Sequence, residues 1–220
     1  MNDIHISLQA EQLGQIFGFP ITNSLVLSLI TAFLLLGGGF LIVTSMRLVP
    51  RKVQNGGEII AEGLLDFMTQ VLGDKKSALQ FFPLVATIFL FVLVSNWVGV
   101  MPGIGSLGFT EVEHGEEVFV PFFRSAAADL NTTFALALIT IAAIQIYGIA
   151  KLGFFAHWGK FFILNKGPIY LFVGLLELVG EFAKVLSFSF RLFGNMFAGE
   201  VLLIIVAALL PALLVFGWLP

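Results

Sequence analysis

Residues Glu177 to Glu200 read ELVGEFAKVLSFSFRLFGNMFAGE, and they decide the fold because they set ionisable side chains in a segment too apolar to lie outside a membrane. At about 100° per residue, Glu177, Glu181, Lys184, Arg191 and Asn195 fall at roughly 0°, 40°, 340°, 320° and 0°, one stripe about 80° wide. Leucine, valine and phenylalanine fill most of the remaining surface. From Gly167 to Leu210 there is one proline, Pro168, at the start, where a helix tolerates it. About forty residues at about 1.5 Å each make a helix of about 60 Å, twice the roughly 30 Å hydrocarbon thickness. The expectation is one long, strongly tilted helix over about 168–210, with Gly180, Gly194 and Gly199 as the places where it would otherwise break. In either form its polar stripe faces something other than lipid.

Arg191 is the costliest residue of the stretch, at about 2.5 to 3.5 kcal/mol on insertion scales for a mid-membrane arginine. One reading is a snorkelling side chain or an ion pair on its own helix. Glu181, however, is about 15 Å away along the axis, and apolar residues predominate on the C-terminal side. An anionic partner on another element or another chain is the reading that remains.

Outward from this helix the composition agrees, with 58% hydrophobic and 11% charged residues against the roughly 25% charge of soluble domains. The chain is read as an all-α polytopic membrane protein, one integral membrane domain over 1–220, with about three upright spans, an amphipathic surface helix and the long tilted helix. The absence of cysteine removes disulfide and thiol chemistry, and no cofactor or metal site is expected. The few basic residues form no patch, so no nucleic-acid partner is expected.

Residues 1–20 carry Asp3, His5 and Glu11 but no basic residue, so they lack the n-region of a signal peptide. The first span is placed at about 25–46, with Gly37, Gly38 and Gly39 suited to close helix contact. Arg47, Arg51, Lys52, Lys75 and Lys76 follow, which puts the next connection in the cytoplasm. In it Ile60, Leu64, Phe67, Met68 and Val71 recur at helical spacing opposite an acidic line of Glu58, Glu62 and Asp66. This is an amphipathic helix lying on lipid, with contact to a peripheral subunit as the second reading.

The second span is placed at about 81–101, with Pro83 in its first turn and Pro102 ending it. The following loop has four glutamates but Arg124 as its only basic residue, so it lies outside. Its Glu113-His114-Gly115-Glu116 run is read as a solvated acidic loop rather than metal ligands. The third span, about 129–150, starts at Asp129, an N-cap residue. The basic return, with Lys151, Lys160 and Lys166, also holds Phe154, Phe155, Trp158, Phe161 and Phe162, an interfacial aromatic belt. His157 among them is read as a headgroup-level histidine, with a proton relay as the other reading. The polar helix then begins at the cytoplasmic face, with Glu177 nearest to it and Glu200 farthest.

The run from Arg191 to Glu200, RLFGNMFAGE, resembles the RLFGNMxAGE signature of the subunit a family of F-type ATP synthases. Asn96-Trp97-Val98-Gly99-Val100-Met101-Pro102 is similar to the family's N-x-x-G-x-x-P, and Ala128-Asp129-Leu130-Asn131-Thr132-Thr133 to its A-D-x-N-x-T. Glu177 also matches a family glutamate. The resemblance implies a proton-channel stator subunit with two half-channels to a rotating c-ring and an arginine, here Arg191, separating them. It assigns Asn195, Glu200 and Asn131 to the outer path and Glu177 to the inner one, with Asp129 as a possible further member; Glu181 and Lys184, which share the face, are candidates too and are read as structural partners at i, i+3 or i, i+4 spacing. It also implies the c-ring, peripheral stalk subunit b and membrane lipid as partners, no catalytic site on this chain, and a bacterial inner membrane with the N-terminus outside. Mitochondrial relatives commonly have histidine where this chain has Glu200. The family ordinarily continues into a last long helix with a glutamine facing the arginine, so a fragment or an incomplete stator surface is expected.

The alternative from another class is a secondary ion or solute transporter that binds its substrate at Arg191. Inverted repeats and helices broken at mid-membrane would mark it, and neither is evident in the sequence. An intramembrane hydrolase would need a nucleophile with a base, or a metal motif such as H-E-x-x-H, and the sequence supplies neither.

Overall fold

The computed structural model describes residues 10–47, 52–101, 104, 107–113, 116–159, 161 and 168–216. Asp3, His5, Arg51, Pro102, His114, Gly115, Lys160, Phe162 and Lys166, each used in the sequence reading, lie outside the described residues. The chain is an all-α polytopic membrane protein with four helices long and apolar enough to cross a bilayer. The described residues form two compact units, Ala10–Ala126 and the residues from Ala127 onward.

The first unit opens with a hairpin of β1 (Gln12–Ile16) and β2 (Phe19–Thr22), turned by Phe17 and Gly18, both at positive φ. Three helices follow, α1 (Asn23–Thr44), α2 (Lys52–Leu72) and α3 (Lys75–Val100). Thr22 caps α1 by accepting from the Leu25 amide at 3.3 Å, which satisfies one of the donors that a helix start leaves unpaired. Gly37, Gly38 and Gly39 face open space, so the close contact read from them is not made among the described residues. Helix α2 leaves Ile60, Phe67 and Val71 exposed on its apolar side, as a helix lying on lipid would.

Helix α3 starts earlier than the 81 expected, at Lys75. Asp74 caps it, accepting from the Lys76 and Ser77 amides at 3.1 and 3.0 Å. Pro83 therefore lies inside the helix rather than in its first turn, a placement that membrane helices tolerate. The segment read as an outer loop contains a second hairpin, β3 (Gly108–Glu113) and β4 (Glu116–Pro121), paired from Gly108↔Pro121 to Glu113↔Glu116. The sequence reading took its glutamates as loop residues and missed the interleaved Phe109, Thr110, Val112, Val118, Phe119 and Val120, which are strand formers.

The second unit contains α4 (Leu130–Leu152), the short α5 (Phe154–Gly159) and α6 (Pro168–Phe216). The 49 residues of α6 run unbroken through Gly180, Gly194 and Gly199, and also past Pro211, where the sequence reading ended the helix. At about 1.5 Å per residue it is about 75 Å long, more than twice the hydrocarbon core. Helices α4 and α6 pack antiparallel. Thr133 meets Ser189 at one end, Ala137 and Ile141 bury Val185 in the middle, and Gln145 meets Glu181 at the other end. Each row advances by four residues, the ridge spacing of helix packing. Its small residues allow the backbones close together.

Candidate functional site

The row facing α4 and the charged stripe divide α6 between them. By the helical phase, Glu181, Val185 and Ser189 share one side, while Glu177, Lys184, Arg191 and Asn195 lie on the adjacent one. Glu177, Arg191 and Asn195 are exposed on that second side. The Arg191 guanidinium lies over the Phe188 ring, whose centroid is 6.0 Å from the guanidinium carbon. Among the described residues no carboxylate pairs with Arg191. At membrane depth an exposed, unpaired guanidinium is stable only against water or an anion from outside the chain.

Glu181 is held in the opposite way. Its Oε1 accepts from Lys184 Nζ at 2.9 Å, the i, i+3 pair expected from the sequence, and its Oε2 accepts from Gln145 Nε2 at 3.2 Å. The other end of that amide, Gln145 Oε1, lies 2.6 Å from His157 Nε2. His157 is only 4% exposed, so its ring is enclosed by its own chain. The ring fits because residue 148 of α4 is glycine. A Cβ there would overlap the imidazole. Beside this chain lies a cavity of about 420 Å³, walled by residues such as Leu138, Ile141, Leu178 and Phe182, with Gln145 and Glu181 as its only amide and carboxylate.

Asp129 is the N-cap of α4, accepting from the Asn131 amide at 3.0 Å and lying near Thr132 Oγ1 at 3.4 Å, as its residue type implies. Asp129 is buried, while Asn131 two residues on is exposed. Glu200 is half-buried, with its Oε2 covered. It lies about 180° from Arg191 around the helix, so the signature's two ends face different surroundings.

In the first unit, the glycine of the Asn96 motif has a definite task. Gly99 admits the backbone of Ser125, which a side chain at 99 would strike. Ser125 Oγ then donates to Asn96 Oδ1 at 2.8 Å, and the Ala126 amide to Ser95 Oγ at 3.2 Å. Four residues before Ser125, the Pro121 carbonyl accepts from the fully buried Asn23 at 3.3 Å, and Asn23 also donates to Glu11 Oε2 at 3.4 Å. Sequence reasoning missed Gln145, Ser189, Asn23 and Ser95. Gln145 is one amide in an apolar run and the other three lie beside further small polar residues, so only a partner far away in sequence gives each its meaning. Among the described residues, no group of acidic or histidine side chains could hold a metal ion.

The family described as "ATP synthase A chain" matches residues 25–220. Similar proteins include the ATP synthase subunit a of Campylobacter jejuni strain 81-176, serotype O:23/36, and that of strain RM1221. Each is 36% identical over 170 residues, which cover 76% of this chain and 65% of the relative. The chain thus spans 65% of the length of the curated relatives it matches. A match over nearly the whole sequence, including the helix with an unpaired arginine in an apolar segment, establishes that this membrane-embedded chain belongs to the ATP synthase A chain family.

Proposed function

We propose that the chain is the proton-channel stator subunit of an F-type ATP synthase, with Arg191 separating two half-channels that open onto a rotating c-ring. The observation that carries this reading is the guanidinium of Arg191, exposed on α6 and unpaired among the described residues. A carboxylate on the ring is the anion it would meet. A guanidinium stays charged at any relevant pH and, in a low dielectric, favours the anionic form of a nearby carboxyl group. The ring group therefore releases its proton before it passes. The membrane potential, about 2.3 kcal/mol per charge for each ~100 mV, biases which path loads and which unloads.

Asn195, Glu200 and Asn131, with Asp129 beside it, line the outer path in this reading, and Glu177 the inner one. Helix α6 lies steeply tilted in one membrane domain, because about 75 Å of helix does not fit upright. The exposed apolar side of α2 rests on lipid, and its acidic line of Glu58, Glu62 and Asp66 meets peripheral stalk subunit b. The N-terminus lies outside a bacterial inner membrane, since the basic connections then stay inside. Nucleotide chemistry belongs to other chains of the complex.

The test uses membrane vesicles carrying the complex with its soluble head stripped off, a potassium diffusion potential and a pH dye. Arg191→Ala is expected to abolish ATP synthesis in intact membranes and to leak protons passively in the stripped ones. Vesicles of Arg191→Ala that stay proton-tight while wild-type vesicles conduct would overturn the gate. Loss of flux of one solute, with no leak, is what a transporter would give instead.

A further inference from the structure

The residues that hold Glu181 form a chain across three helices, from His157 on α5 through Gln145 on α4 to Glu181 and Lys184 on α6. Both carboxylate oxygens of Glu181 accept, one from an ammonium, which has only donors, and one from the amide nitrogen of Gln145. That arrangement fixes the amide. Its nitrogen faces Glu181, so its oxygen faces His157, and at 2.6 Å the ring nitrogen opposite an oxygen must carry the hydrogen. The second ring nitrogen, Nδ1, is buried against α4 at Gly148 and has no hydrogen-bond partner among the described residues. A hydrogen on that nitrogen would be left without an acceptor among them.

We propose that His157 and Gln145 are positioning residues for the inner proton path. A neutral His157 with its hydrogen on Nε2 orients the Gln145 amide, and the amide holds Glu181 as a fixed anion that anchors Lys184. The amide does not itself pass protons. Glu181 is therefore a stationary charge at the wall of the path, and the mobile proton travels by other groups, Glu177 among them. The lock has one weak link, because the amide can turn over once nothing fixes its oxygen. Glu181 would then lose one of its two donors beside an apolar cavity and swing away from α4. This role for the two residues rests on the proton-channel reading above.

Two measurements on the assembled complex test it. The first is solid-state NMR of the complex in bilayers with ¹⁵N-labelled histidine, where the difference between wild type and His157→Gln isolates the two ring nitrogens of His157. A protonated Nε2 with a bare Nδ1 is expected. The reverse tautomer, or an imidazolium, would overturn the proposal without any reference to conduction. The second is ATP-driven proton pumping at matched amounts of assembled complex. Glutamine at 157 keeps a donor for Gln145 and should pump at more than half the wild-type rate. His157→Leu should fall about fivefold, the factor that one lost hydrogen bond represents. Equal rates in the two variants would rule out the donor role, and if His157→Leu does not assemble, the wild-type spectrum decides alone. A proton-tight Arg191→Ala sinks the channel reading while leaving the tautomer result standing, so the two failures are distinguishable.

Discussion

Glu181 and Arg191 lie about 15 Å apart along one helix, in surroundings of similar apolarity, and they are treated differently. Glu181 has both oxygens committed to donors of its own chain, at 2.9 and 3.2 Å. Arg191 has an aromatic ring beneath it and, among the described residues, no anion. A membrane protein satisfies a structural charge internally, because the alternative costs several kcal/mol. A charge left open is one whose partner comes from elsewhere. The polar stripe of the sequence is therefore two things, an internal brace at Glu181 and an outward-facing group at Arg191.

The largest effect that would sharpen this contrast is expected at Arg191→Lys. An ammonium keeps the charge but loses the planar fork, and a desolvated ammonium can give up its proton. ATP synthesis should fall about tenfold or more, a loss of about 1.4 kcal/mol or greater. Near-normal synthesis with lysine would mean that Arg191 supplies charge alone. Next in size is Glu200, on the far side of the helix. If it carries protons on the outer path, Glu200→His should keep several times the proton-driven synthesis of Glu200→Leu. Equal loss in the two would remove Glu200 from the path.

A smaller effect is expected at Gly148→Val, which pushes the His157 ring off α4. Overpacking of this kind costs about 1 to 3 kcal/mol, read as a lowered thermal midpoint of the detergent-solubilised complex. An unchanged midpoint would mean that the ring has room to move. The smallest is Ser189→Ala. Interhelical hydrogen bonds in membranes average about 0.6 kcal/mol, so a shift near the limit of detection is expected from losing the 3.2 Å contact with Thr133. A large loss there would show that the brace depends on Ser189 more than on Glu181.

Much of the contrast was already legible in the sequence, but only along single helices. The continuous α6, the five-residue stripe, the Glu181–Lys184 pair and the Asp129 cap all follow from periodicity within about a turn or from residue type at a helix start. Partners from another element were not legible. Gln145 is one amide in an apolar run, and its value depends on His157 twelve residues later and Glu181 thirty-six later. The hairpin over Gly108–Pro121 was hidden for a different reason, as its alternation is interrupted by glutamates that read as loop. Pro83 and Pro211 were given too much weight as helix boundaries, because in α3 the Asp74 cap decides the start.

The antiparallel row between α4 and α6 places its two polar pairs at the ends and methyl groups between them. Sliding α4 by one turn would set Thr133 and Ala137, or Ile141 and Gln145, against Val185, so a polar group would enter the apolar middle. The ends would not forgive it either. Ile141 or Ile149 would take the place of Gln145, and Glu181 would lose its second donor. The two polar pairs thus work as locating pins, contributing little to the strength of the joint but making a misaligned assembly identifiable by an unsatisfied charge.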